Sequence, residues 1–119
     1  MLAETNLETI LDECDGTTLM RLRGRLSMDS SPAFRDQLQA ALRGQSSKGV
    51  VVDMTEVSYI DASGIATLVE GLKIARTRQK TLCLRGLQDR VLHLFEVTGL
   101  LELFESNGHT SASTTSKVS

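Results

Sequence analysis

The sequence predicts an α/β fold: a mixed sheet of four to five strands with helices packed on it. Segments with apolar residues at every second position alternate with segments whose apolar residues recur every three or four. The breaks between them are short and marked by Gly, Pro, Ser and Asp. The order read this way is strand, strand, helix, strand, helix, strand, helix, strand. That alternation argues a partly parallel sheet with right-handed crossovers.

The first segment, ETILDEC, is ambiguous. Leu7, Ile10, Leu11 and Cys14 fit helical spacing, whereas Asp15-Gly16 reads as a hairpin turn, and a strand is the favoured reading. In TTLMRLRGRL, Met20, Leu22, Gly24 and Leu26 share one face and Arg21, Arg23 and Arg25 the other, as in a half-buried strand with a solvated arginine stripe. Ser30 or Ser31 followed by Pro32 starts a helix, Phe34, Leu38, Ala41 and Leu42 form its inner stripe, and Gly44 closes it. GVVVDM, β-branched and bounded by turn signals, predicts a central strand covered on both sides.

A second helix is expected from about Ser63, with Ile65, Leu68, Val69, Leu72 and Ala75 as its stripe. Lys73, Arg76, Arg78 and Lys80 crowd its C-terminal end, where the helix dipole favours cations. TLCLRG predicts another strand, with Cys83 as a small core hydrophobe between Leu82 and Leu84. QDRVLHLFEVTGL predicts a third helix that turns Val91, Leu94 and Phe95 inward and ends at Gly99, and LLELF predicts a last strand. Residues 106–119, rich in Ser and Thr, read as a flexible tail on a domain spanning 1–105.

Composition narrows the function. The chain has 119 residues, 40% of them hydrophobic, and 13 Lys and Arg against 15 Asp and Glu, for a formal charge of −2. That describes one domain able to bury a single core without metal or disulfide staples. The aromatics are Phe34, Tyr59, Phe95 and Phe104, and there is no tryptophan and no basic excess, which argues against a direct nucleic-acid partner. No apolar run approaches the roughly 18 residues of a membrane span, and the N-terminus has no signal pattern, so no membrane insertion and a cytoplasmic location are expected. Cys14 and Cys83 lack companions at metal-ligand spacing, so no metal is expected.

Catalysis needs convergent groups, and the sequence offers few. His93 lies on a helix and His109 in the tail, and no HExxH, CxxC or glycine-rich phosphate loop is present. An enzyme would rest on Asp53, Asp61 and His93 alone, so a non-enzymatic protein without a cofactor is expected. One turn is distinctive: VSYIDASGIATLVEG delivers Asp61-Ala62-Ser63-Gly64 onto the start of the second helix. Helix N-termini have unpaired N–H groups, so Ser63 or Asp61 serves as a cap and Gly64 permits a tight approach.

VVVDMTEVSYIDASGIATLVEG, then TLCLRG, then VLHLFEVTGLLELF resemble a STAS domain of the anti-sigma factor antagonist type, and the likeness extends back to the GRL segment and the first helix. Its most specific part is the Asp-x-Ser-Gly turn at Asp61, Ser63 and Gly64. The resemblance implies a partner switch. The unmodified antagonist binds an anti-sigma factor that is a serine kinase, phosphorylation of Ser63 ends that binding, and a serine phosphatase resets it. Asp61, Ala62, Gly64, Ile65, Ala66, Val69 and Glu70 become the partner-binding residues, and a homodimer stays open. Where the family commonly has Gly-Glu-Leu/Ile-Asp, this chain has Gly24-Arg25-Leu26-Ser27. The alternative is a constitutive STAS subunit of an ABC lipid transporter or of a stress-signalling, stressosome-like complex. Those transporter subunits tend to carry alanine where this chain has Ser63.

Overall fold

The structure, a computed structural model, describes residues 7–45 and 47–105. Residues 106–119, expected as a tail, lie outside the described residues. The elements run β1 (Leu7–Cys14), β2 (Thr17–Leu26), α1 (Ser31–Arg43), β3 (Gly49–Ile60), α2 (Ala62–Thr77), β4 (Thr81–Arg85), α3 (Asp89–Val97) and α4 (Leu100–Glu105). Among the described residues the strands form one sheet in the order β1-β2-β3-β4. The pair β1/β2 is antiparallel, and β2/β3 and β3/β4 are parallel, as helical crossovers require.

The ambiguous first segment is a strand. Asp15 and Gly16 both take positive φ, 52° and 82°, which is the backbone a two-residue hairpin demands. Leu7 therefore pairs with Gly24 and Cys14 with Thr17.

Strands β2, β3 and β4 send alternate residues into one core. Met20, Leu22 and Leu26 of β2, Val50, Val52 and Met54 of β3, and Leu82 and Leu84 of β4 meet Phe34, Leu38 and Leu42 of α1 and Leu68, Leu72 and Ala75 of α2. The sheet thus buries one face, and GVVVDM is not covered on both sides. Its Val51 and Asp53 are half-buried on the opposite face, in cross-strand rows with Leu19 and Cys83 and with Arg21 and Arg85. Period-2 geometry corrects Cys83 as well: with Leu82 and Leu84 turned inward, it must face outward, and it is half-buried. The same open face carries Arg23 bonded to Glu56 (2.6 Å) and Glu8 (3.4 Å), and Arg25 stacked 4.3 Å from the Tyr59 ring centroid.

LLELF is a third correction, since it forms α4 and not a strand. Gly99, at φ 79°, reverses the chain after α3, and the Leu103 N–H donates to the Gly99 carbonyl. Phe104 is then buried with its ring centroid 6.3 Å from that of Phe95. A five-residue apolar run satisfies either period, and here packing on α3 decides.

The register of β3 shifts twice against β2, between Arg21 and Arg23 and between Gly24 and Arg25. These irregularities let Met54, Val57 and Ile60, three residues apart, all face the core. Their consequence is positional. They rephase the strand so that Ile60 ends it pointing inward and Asp61 leaves it at the mouth of α2.

Candidate functional site

The site is the junction between β3 and α2. Asp61 is extended (φ −118°, ψ −172°) and is the N-cap of α2. Its backbone N–H donates to the Leu26 carbonyl at 3.2 Å, fastening the junction to the end of β2. Asp61 Oδ1 accepts from the N–H groups of Ser63 (3.0 Å) and Gly64 (3.1 Å), satisfying two donors of the first turn. Oδ2 accepts from the N–H of Met28 (3.0 Å), which ties down the loop between β2 and α1. Of the two caps the sequence allowed, Asp61 is the one used.

That leaves the Ser63 hydroxyl for something else. Ser63 Oγ donates to Asp61 Oδ1 at 2.7 Å and lies 3.1 Å from Ser31 Oγ, the first residue of α1. With the Ser63 proton committed to the carboxylate, the Ser31 hydroxyl is the donor in the second contact. The result is a chain from Ser31 through Ser63 to Asp61. The Ser63 hydroxyl holds the Asp61 carboxyl below the usual aspartate range against a smaller upward push from burial, and the N–H groups of Gly64, Met28 and Ser63 add to it.

The depressed pKa fixes the sign of a pH effect. The unfolded chain holds its Asp61 proton to higher pH than the folded one, so this stabilisation is complete above about pH 4 and is lost as pH falls through the folded value. Thermal unfolding should therefore show the wild type losing Tm below pH 4 more steeply than Asp61→Asn; parallel curves would contradict the cap's charge. Asp53 contributes in the same direction to both proteins: burial pushes its carboxyl up, and the hydrogen bonds from Thr55 and the charge and hydrogen bond of Arg85 together outweigh it. Removing the cap altogether in Asp61→Ala should cost about 0.5–2 kcal/mol. Chemical denaturation measures this as a lower midpoint at unchanged m-value.

The expected partner-binding residues divide by exposure. Ala62 and Ala66 are exposed, while Asp61, Ile65, Val69 and Glu70 are half-buried, as is Ser63, the expected phosphorylation site. Gly64 is buried, and a Cβ there would stand 2.8 Å from Ile60 Cγ1, Leu26 Cγ and the Leu26 carbonyl oxygen. Its lack of a side chain lets α2 pack closely on the strand ends. Two residues of the junction carry no signal of this role in the sequence: Ser31, legible there only as a helix start, and Met28. His93 is exposed on α3. Among the described residues no three His, Cys, Asp or Glu side chains converge as ligands for a metal ion, and no helix is long and apolar enough to cross a membrane.

The family model described as Mlab, STAS domain matches residues 11–105. The chain belongs to the STAS domain family. An anti-sigma-B factor antagonist from Listeria monocytogenes serovar 1/2a is 38% identical over 84 residues, which cover 69% of this chain and 71% of that protein. An anti-sigma-factor antagonist (STAS) domain protein from Planctomyces limnophilus aligns with a TM-score of 0.73 at 20% identity, over 81% of this chain and 86% of that one. The Bacillus cell fate determinant SpoIIAA in its phosphorylated form aligns with a TM-score of 0.67 at 14% identity, over 94% of this chain and all of that one (100%). The two structures share the mixed sheet and helical layer of this STAS domain. The role that these relatives support is that of an anti-sigma factor antagonist.

Proposed function

We propose that the chain is an anti-sigma factor antagonist that binds an anti-sigma factor serine kinase and is released when that kinase phosphorylates Ser63. One hydroxyl carries this function: Ser63 Oγ, half-exposed between exposed Ala62 and Ala66 at the start of a 16-residue helix. In the transfer, Ser63 Oγ bonds to the γ-phosphorus of a nucleoside triphosphate held by the kinase. The bond to the nucleoside diphosphate breaks, and the hydroxyl proton leaves to water. A serine phosphatase reverses the modification by hydrolysis to inorganic phosphate. The chain itself supplies the acceptor hydroxyl and no catalytic group.

Binding before modification uses the exposed part of α2, with Ala62 and Ala66 allowing close approach and Ile65, Val69 and Glu70 bordering them. A phosphate there adds about −1.5 to −2 charge beside Asp61, which opposes an apolar or acidic partner surface by repulsion and desolvation. A helix N-terminus tolerates the anion, so the domain keeps its fold. A constitutive transporter or stress-complex subunit needs no hydroxyl at position 63; the Ser31, Ser63 and Asp61 chain supports the switch over that alternative. Co-expression with the host's serine kinases and mapping of the phosphate tests the assignment. Phosphate at Ser63, absent in Ser63→Ala, is the expected result; phosphate confined to other residues overturns it.

A further inference from the structure

We propose that a phosphate on Ser63 is received by the Ser31 hydroxyl and the Arg35 guanidinium, and that Arg35 leaves Glu70 to do so. This rests on Ser63 being the phosphoacceptor, and it adds where the phosphate goes and what it changes on the docking helix.

Helices α1 and α2 lie side by side and start at the same end of the sheet. Ser31 Oγ meets Ser63 Oγ at 3.1 Å, Arg35 Nη2 meets Glu70 Oε2 at 2.9 Å, and Leu38 reaches over Gly71. Arg35 is four residues after Ser31, so it shares the face of α1 that Ser31 presents to Ser63, about 6 Å further along. Glu70 is seven residues after Ser63, about 10 Å along α2. The guanidinium therefore originates between the two and now extends toward Glu70. Helical side chains lean toward the N-terminus, so folding back to Ser63 follows the direction a helix favours.

Phosphorylation changes which partners fit. In the unmodified chain the Ser63 proton satisfies Asp61 Oδ1 at 2.7 Å. The transfer removes that proton and puts oxygens carrying close to two negative charges beside the same carboxylate. Repulsion drives the phosphate away from Asp61, and toward α1 it meets Ser31, a buried residue whose hydroxyl is already the donor to Ser63 Oγ. Arg35 lies about one turn from it. Its pairing with Glu70 is exposed, with side chains 52% and 41% accessible, and pairs of that kind are weakly held. A guanidinium binds a phosphate dianion through two parallel N–H groups, which is the stronger arrangement. Modification of Ser63 would thus also strip Glu70 of its counter-charge, placing a second negative group on α2, two turns beyond the phosphate. A partner docked along α2 would meet both.

The test uses phosphoserine incorporated genetically at position 63, so that no kinase is needed, and follows its second ionisation by phosphorus NMR. A solvent-exposed phosphoserine ionises near pH 6. The wild type should ionise below that, Arg35→Gln should raise the value by roughly half a pH unit or more, and Arg35→Lys should fall between. Glu70→Gln, which frees Arg35, should lower it further. Arg35 is exposed and Glu70 half-buried, and melts monitored by circular dichroism check that each variant folds. Equal ionisation in wild type and Arg35→Gln, with no response to Glu70→Gln, overturns the proposal. Failure of the acceptor assignment would appear instead in phosphate mapping on the unmodified chain, so the two outcomes are separable.

Discussion

Replacing Gly64 by alanine is expected to destabilise the domain by about 1–3 kcal/mol, the cost of forcing an extra methyl into a packed site. For a domain of this size that is a fall in Tm of roughly 4–8 °C for each kcal/mol. The new Cβ would stand 2.8 Å from Ile60 Cγ1, Leu26 Cγ and the Leu26 carbonyl oxygen. Two of these are side-chain carbons, but the third is backbone. The Leu26 carbonyl also accepts the Asp61 N–H at 3.2 Å, so it cannot retreat without loosening the junction that presents Ser63. Gly71→Ala is the matched control. Its Cβ would meet Leu38 Cδ2 at 2.7 Å, the far end of a flexible side chain, while alanine recovers about 1 kcal/mol of helix propensity. Gly71→Ala should therefore lie near neutrality, and equal losses in the two variants would show that the Leu26 carbonyl is not what confines Gly64.

Phosphorylation at Ser63 is expected to weaken binding to the anti-sigma factor kinase by 5- to 150-fold, the range of an ordinary coupling of about 1–3 kcal/mol between two sites. The charge is placed at the start of α2, among exposed Ala62 and Ala66, where a docked partner excludes water and screens little. Ser63→Ala, which leaves the Asp61 cap to Gly64 and Met28 intact, should bind like the unmodified chain and be insensitive to the kinase's activity. Titration calorimetry or fluorescence anisotropy measures both; tight binding of the phosphorylated form would remove the switch.

The parts of this fold that were legible in the sequence are those where one periodicity rules. The alternation of Met20, Leu22 and Leu26 against Arg21, Arg23 and Arg25 reads directly as β2, and Phe34, Leu38 and Leu42 as the inner stripe of α1. Legibility fails where periodicity is broken or too short. The register shifts in β3 put Met54, Val57 and Ile60 on one face at a spacing that belongs to neither a simple strand nor a simple helix. LLELF is too short to show a period, and its contact with Phe95 comes from tertiary packing. Val51 looks like core by composition, yet only the pleat shows that it faces outward with Leu19 and Cys83.

The candidate site divides in the same way. Asp61 and Ser63 stand two positions apart at a strand-to-helix junction, so the cap and the hydroxyl beside it can be read locally. Ser31 approaches Ser63 across 32 positions of sequence, and Arg35 approaches Glu70 across 35. No local pattern encodes either meeting; both follow from two crossovers that lay α1 and α2 in parallel over one face of the sheet.

The most direct test of the central claim is the affinity of the anti-sigma factor kinase for this chain carrying serine or phosphoserine at position 63, measured on otherwise identical protein. The expected result is at least fivefold weaker binding with phosphoserine, restored when a phosphatase removes the phosphate. Equal affinity for the two forms would contradict it.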